Sequence, residues 1–397
     1  MHLARELRPS TSEASATERN DGERRSEIVL KRQHLAQLDP VRGVAILSVV
    51  VFHSTMFTLD PALKSSSNLA GVIYRTGGCG WVGVDLFFVL SGFLITRILI
   101  RSRGLPRFLT NFYARRSLRI FPLYFATLAI WTVVTQLGLS NAFGATPWLW
   151  TYTSNLLTGW RGWPAVPISV NHFWSLAVEE QFYLVWPFTV LLCARPTLLG
   201  TCGAMLVVSA LARAACAVSG HPDAVGVWPF CRADALLAGG AIALLLGESD
   251  VPSPKLQSAA GRLLLMVAGP ALALAFLSAG PLDTSDPWIA AFGFSATTLT
   301  MAGLLVRVLA ARRSGPPSRL ARALASVGKY SYAMYVFQQP VILGLARLQQ
   351  ALLSPSTGPA TRLLLVVVVG ASLSFGLAFI SWQVLEKHAI ALKQRFT

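Results

Sequence analysis

The sequence predicts an all-α fold: a polytopic membrane helix bundle of about ten transmembrane helices with both termini in the cytoplasm. Three observations carry that expectation. Of the 397 residues, 53% are hydrophobic and 13% charged, whereas soluble chains carry about 25% charged residues. Mean hydropathy is +0.54, and the apolar residues fall into runs near the ~20 residues needed to cross a hydrocarbon core. The cationic residues collect in alternate loops between those runs.

In chain order the expected spans are 41–59, 79–100, 119–138, 173–193, 198–218, 230–247, 262–280, 287–308, 330–350 and 362–385. Arg232 and Asp234 interrupt the sixth, and Gln338, Gln339 and Pro340 the ninth. Segment 97–119 holds Arg97, Arg101, Arg103, Arg107, Arg115, Arg116 and Arg119 with no acid. Segment 307–329 holds Arg307, Arg312, Arg313, Arg319, Arg322 and Lys329, again with none. Lys31 and Arg32 precede the first span, and Lys387, Lys393 and Arg395 close the chain. The alternate loops are poor in cations: 139–172 has only Arg161, 281–286 carries Asp283 and Asp286, and 351–361 is uncharged. Such alternation orients helices with the basic loops in the cytoplasm. Trp148, Trp150, Trp160 and Trp163 then suit an outer interfacial belt.

Residues 1–37 read as a disordered cytoplasmic tail without an apolar stretch of signal-peptide length. Residues 38–390 read as one membrane domain, and 391–397 as a short cytoplasmic tail. The net charge of +16 is accounted for by the basic loops, and no soluble basic domain is present to bind nucleic acid. Cys79, Cys193, Cys202, Cys216 and Cys231 are scattered through apolar runs. With no CxxC pair or Cys/His cluster at ligand spacing, they read as small core residues and no metal site is expected.

Ionisable residues inside membrane helices are rare and usually functional. Arg42 and His53 are eleven residues apart, about 1100° of helical rotation, so they project from one face about 16 Å apart along the axis. Arg42 reads either as a snorkelling interfacial arginine or as a site residue; His53 reads either as a packing histidine or as a base. Asp85 lies in GVDLFFVLSGFLIT and needs a cationic or donor partner, while Gly83, Ser91 and Gly92 permit close helix contact. In HFWSLAVEEQFYLVWP, residues 172–187, the residues His172, Ser175, Glu179 and Phe182 share a face, and Glu180 points about 100° away. The rise per residue puts Glu179 roughly 10 Å deep, near the depth of His53. Glu179 is therefore expected to partner His53, and Glu180 to pair elsewhere, with Arg232 as the candidate. Arg42 and Glu386 sit at similar depth and form a second expected pair.

The ordered set LDPVRGVAILSVVVFH, GVDLFFVLSGFLIT, RRSLRIFPLYF, HFWSLAVEEQFYLVWP, RADALLAG, SYAMYVFQQP and WQVLEK resembles membrane-bound acyltransferase family 3, over roughly residues 35–390. Two features are specific together: the ten-residue gap between Arg42 and His53, and the WSLAVEEQFY stretch. The resemblance implies an inner-membrane enzyme that moves an acyl group from acyl-CoA, as co-substrate, to a hydroxyl of a carbohydrate-type acceptor. Such acceptors include O-antigens, exopolysaccharides and macrolides. No other cofactor is implied. Arg42, His53, Glu179 and Glu180 match motif positions associated with activity, and Glu386 matches a glutamate near the family's end. Two positions depart from the pattern. Pro40 stands where Gly is common, and Gln338 stands where a His is usual, which puts that position's role in doubt.

The expected catalytic set is thus His53 as general base with Arg42, Glu179 and Glu180. The expected substrate-binding set is Arg115, Arg116, Arg119, Arg232, Tyr183 and Glu386. The 97–119 arginines would draw the polyanionic coenzyme to the inner mouth. A transporter or flippase, its buried charges lining a pathway, is the rival reading; it requires substrate movement without acyl-CoA consumption.

Overall fold

The computed structural model describes residues 37–137, 143–268, 270, 284–311, 316–354 and 356–396. Among these residues the regular structure is helical, without a strand. The longer helices are α1 (Asp39–Thr58), α2 (Leu69–Gly78), α3 (Val82–Ser102), α4 (Phe108–Gln136), α5 (Ser154–Arg161), α6 (Trp174–Leu192) and α7 (Arg195–Val218). They continue with α8 (Pro229–Leu246), α9 (Pro254–Leu263), α10 (Phe294–Ala310), α11 (Arg319–Lys329), α12 (Ser331–Leu352) and α13 (Pro359–Ser381). Several starts carry local signals. Pro40, Pro229, Pro254 and Pro359 sit in first turns, where a missing N–H costs nothing. Asn68, Ser253 and Ser318 accept from backbone N–H groups as N-caps.

Among the described residues, seven helical stretches are long and apolar enough to cross a membrane: 39–58, 69–102, 108–136, 195–218, 222–246, 289–310 and 359–391. Each overlaps an expected span. The fourth and ninth expected spans coincide with α6 and α12, which have spanning length but carry polar groups along their inner faces. The seventh, 262–280, lies largely outside the described residues, as does most of the 1–37 tail. The basic segment 307–329 is not a plain loop. Arg319–Lys329 forms α11, capped by Ser318, whose Oγ accepts from the Ala321 N–H at 3.1 Å. Eleven residues rise only about 16 Å, too short to span, so α11 lies against the start of α1, where Gly328 meets the Asp39 carbonyl.

The bundle is tightest between α3 and α8. A Cβ on Gly92 would collide with the Leu236 carbonyl, and one on Gly239 with the Val89 carbonyl. The two glycines face each other's backbones, an approach that only small residues allow in a membrane. Gly83 likewise abuts the Ala45 carbonyl of α1. The close contact expected at Gly83 and Gly92 is therefore present. Exposed apolar side chains such as Val207, Leu211, Leu364 and Val368 cover the outer faces of α7 and α13, the surface a lipid bilayer would wet.

Gly92→Ala is expected to lower the melting temperature in detergent, through an overpacking cost of about 1–3 kcal/mol. Gly376→Ala places its methyl in open space and should leave it unlowered. Equal behaviour of the two variants would contradict the α3–α8 packing.

Candidate active site

Two cavities lie along the bundle axis. The first opens at the end where α4 and α12 begin. It is lined by Arg42 of α1, Ser91 of α3, Arg116 and Arg119 of α4, and Glu179 of α6, with Ser331 and Tyr332 of α12 closing one side. The second opens at the other end and is larger, about 1140 Å³ against about 790 Å³. Its walls include His53, Trp163, Asn171, His172, Trp174 and Gln339. Val84 and Tyr335 line both and form the wall between them. Arg42 and His53 do share one face of α1, but that face serves two chambers.

The basic chamber carries three arginines against one carboxylate. Arg42 pairs with Asp39 at 3.0 Å, one turn away on its own helix. The Arg42–Glu386 pair is therefore not formed: Glu386 is buried and accepts from Ser381 at 2.9 Å. The reason is proximity, since Asp39 is offered by α1 itself. Arg116 lies over the Tyr183 ring, 4.0 Å from its centroid, and reaches the phenolic oxygen, which also meets Ser91. Tyr183, almost fully buried, therefore stands behind the wall and fixes Arg116. Arg115 points to the exposed side of α4 and does not line the chamber. At the mouth, outside the spanning segments, Lys393 is pulled down to about 8 by burial and then by Arg119, Arg116 and Arg115. The cations are crowded there, the field an anionic group would relieve.

Both acids of the VEEQ stretch fall near Arg116. Glu179 opens into the basic chamber beside Ser91. Glu180 turns toward Tyr124, Tyr152 and Tyr332, and its Oε1 is buried without a hydrogen-bond partner among the described residues. Two expectations are thereby corrected. Glu179 does not partner His53, because the Val84–Tyr335 wall stands between their chambers. Glu180 does not pair with Arg232, because Asp85 of the neighbouring α3 holds that guanidinium deep in the bundle. The cationic partner that Asp85 is expected to need is thus Arg232. Gln181, next in the motif, binds the Tyr152 carbonyl at 2.8 Å and exchanges hydrogen bonds with Asn155 at 3.0 and 3.1 Å, tying α6 to α5.

In the second chamber the partner of His53 is Gln338. Nδ1 lies 2.9 Å from the amide Oε1. That oxygen only accepts, so Nδ1 carries the proton and Nε2 keeps its lone pair. His53 stacks on Phe57, with ring centroids 5.7 Å apart, and its ring lies 6.4 Å from that of His172. His172 donates from Nε2 to the Val336 carbonyl at 3.3 Å. Gln339 donates to Asn171 Oδ1 at 2.6 Å and to the Ile168 carbonyl. Arg232 reaches the same chamber while held by Asp85. Sequence reasoning missed Tyr335, and it left the role of Gln338 in doubt without pairing it with His53. Both lie in SYAMYVFQQP, where the three-residue spacing already places them on one face of α12.

A second buried pair braces this end. Arg213 of α7 is fully buried and reaches Asp234 Oδ2 at 2.9 Å, the Cys231 carbonyl at 2.5 Å and Ser295 Oγ at 2.6 Å. It joins α7, α8 and α10.

The family model described as "Acyltransferase domain", acyltransferase family 3, matches residues 35–382. The peptidoglycan O-acetyltransferase OatA of Listeria monocytogenes is 26% identical over 336 residues, covering 78% of this chain and 50% of that protein. The O-acetyltransferase OatA of Staphylococcus aureus is 25% identical over 351 residues, covering 81% of this chain and 52% of its own length. The chain thus spans about half the length of these curated relatives. No solved structure matches. With the family model covering most of the chain, the chain belongs to acyltransferase family 3.

Proposed function

We propose that the protein is an integral O-acyltransferase of the bacterial inner membrane. It transfers an acyl group, acetyl by default, from acyl-CoA to a hydroxyl of a carbohydrate-type acceptor. One observation carries this reading: a chamber with three arginines and a chamber with a base-competent histidine abut at a wall of two side chains. The basic chamber suits the coenzyme's phosphates, which bind Arg42, Arg116 and Arg119 through charge-assisted hydrogen bonds. By the charge alternation of the loops it faces the cytoplasm, where acyl-CoA is held. The second chamber offers tryptophan faces with amide and imidazole groups, a surface that matches a neutral, hydroxyl-rich ring. A glycan of the peptidoglycan type is the first acceptor to try, because the Listeria relative is named for it.

In the step, His53 Nε2 takes the proton of the acceptor hydroxyl, and the oxygen attacks the thioester carbon at the wall. The new C–O bond forms as the C–S bond breaks, and the proton returns from His53 to the leaving sulfur. Glu179 acts in the donor chamber, where it orients Arg116 and Arg119 rather than the histidine. Membranes containing the protein, given radiolabelled acetyl-CoA and muropeptides, are expected to yield one free thiol per label transferred to carbohydrate. Movement of carbohydrate with no thiol released would favour the transporter reading instead.

Arg119→Ala is expected to raise KM for acetyl-CoA about tenfold, the worth of one charge-assisted contact. Its effect on kcat should be smaller, and the defect should shrink in high salt, where the wild type also loses its electrostatic advantage. An unchanged KM would remove Arg119 from the donor site.

A further inference from the structure

Val84 and Tyr335 are the side chains common to both chambers. Neither reads as catalytic, and neither drew attention in the sequence. Tyr335 is held in place from several directions. Its hydroxyl donates to the His172 carbonyl at 3.0 Å and lies 2.5 Å from Ser175 Oγ. Its ring meets Phe87 edge-on, with centroids 6.3 Å apart, and packs 5.4 Å from His172. A side chain fixed by two hydrogen-bond partners and two rings does not yield readily to a ligand. Val84, by contrast, presents a short branched chain that is partly open to the chambers.

We infer that Val84 and Tyr335 set the length of the acyl group the enzyme transfers, restricting it to chains of two or three carbons. The inference rests on the acyltransferase reading above. If the coenzyme occupies the basic chamber and His53 the other, the thioester carbon must sit at the wall while the C–S bond breaks and the C–O bond forms. The acyl tail then occupies the gap beside Val84. An acetyl methyl is comparable in size to one branch of Val84. Each added methylene has to displace Val84 or detach Tyr335 from Ser175 and His172. A methylene that does not fit a hydrophobic pocket changes rates by about 10–200-fold, so a steep fall with length is expected.

The test compares acetyl-, propionyl- and butyryl-CoA by thiol release in membranes supplied with muropeptides, for the wild type, Val84→Ala, Val84→Leu and Tyr335→Phe. In the wild type the butyryl rate should be at least tenfold below the acetyl rate. Val84→Ala should raise the butyryl-to-acetyl ratio about tenfold, and Val84→Leu should lower it. Tyr335→Phe, which frees the ring from both hydrogen-bond partners, should raise the ratio less than Val84→Ala. A ratio that is the same in the wild type and both Val84 variants overturns the inference and leaves the acyltransferase reading intact. A wild type that turns over no thioester of any length sinks that reading itself, and the inference with it. Because the readout is a ratio within each variant, reduced expression or partial unfolding does not mimic the effect.

Discussion

His53→Ala is expected to reduce acyl transfer by about 10²–10⁴-fold, the usual contribution of a positioned general base, with little change in protein level. Among the described residues His53 makes one side-chain hydrogen bond, to Gln338, and it faces a chamber rather than a packed core. Its truncation therefore removes chemistry more than packing. Gln338→Leu should cost less, about tenfold, the worth of one hydrogen bond. The imidazole would remain, but its Nδ1 proton would no longer be held and the two tautomers would compete. Gln338→Glu also offers an acceptor to Nδ1 and should retain more activity than the leucine variant. The order wild type, Gln338→Glu, Gln338→Leu, His53→Ala is the signature of a base with a positioning partner. It is read from initial rates of thiol release at saturating acetyl-CoA. A His53→Ala protein with full activity would end the account.

The largest expected effect on stability comes from the buried pair of Arg213 and Asp234. Arg213→Met keeps the volume but leaves the Asp234 carboxylate without its cation, in a site where both are 0–1% exposed. Breaking one partner of a buried ion pair costs about 3–5 kcal/mol, and three helices lose their common tie. The melting temperature in detergent should fall sharply. The double variant Arg213→Met, Asp234→Leu should recover much of the loss, since replacing both ions by apolar groups of similar size is often neutral. Additive losses in the double variant would show that Arg213 acts through its carbonyl contacts at Cys231 and Ala291 instead.

The helices were legible in the sequence, and the site only partly. Apolar runs and alternating loop charge located α1, α3, α4, α7 and α13, because a bilayer imposes both length and orientation on a span. The face shared by Arg42 and His53 followed from 3.6 residues per turn. The partner of His53 did not, since rotation and rise describe one helix and say nothing about which neighbour packs opposite. Depth counting also failed at Glu179. The count ran from His172, but the residues 171–173 form a 3₁₀ turn and α6 begins at Trp174, so the shared face is broken between His172 and the helix. The same region hides the wall. Tyr335 comes from α12 and Val84 from α3, and only the assembled bundle brings them together between the arginines and the histidine. Gln338 is the converse case. As a departure from the family pattern it cast doubt on its position, yet an amide oxygen supplies the hydrogen bond that the histidine needs.

In the proposed reaction, donor and acceptor reach one wall from opposite ends of the bundle. Sealed right-side-out vesicles containing the protein probe this arrangement. With radiolabelled acetyl-CoA enclosed and muropeptides outside, label is expected on the external carbohydrate, and His53→Ala vesicles should show none. With acetyl-CoA supplied only outside, labelling should be absent until the vesicles are permeabilised. Equal labelling from external acetyl-CoA in intact vesicles would place both substrates on one face and contradict the two-chamber account.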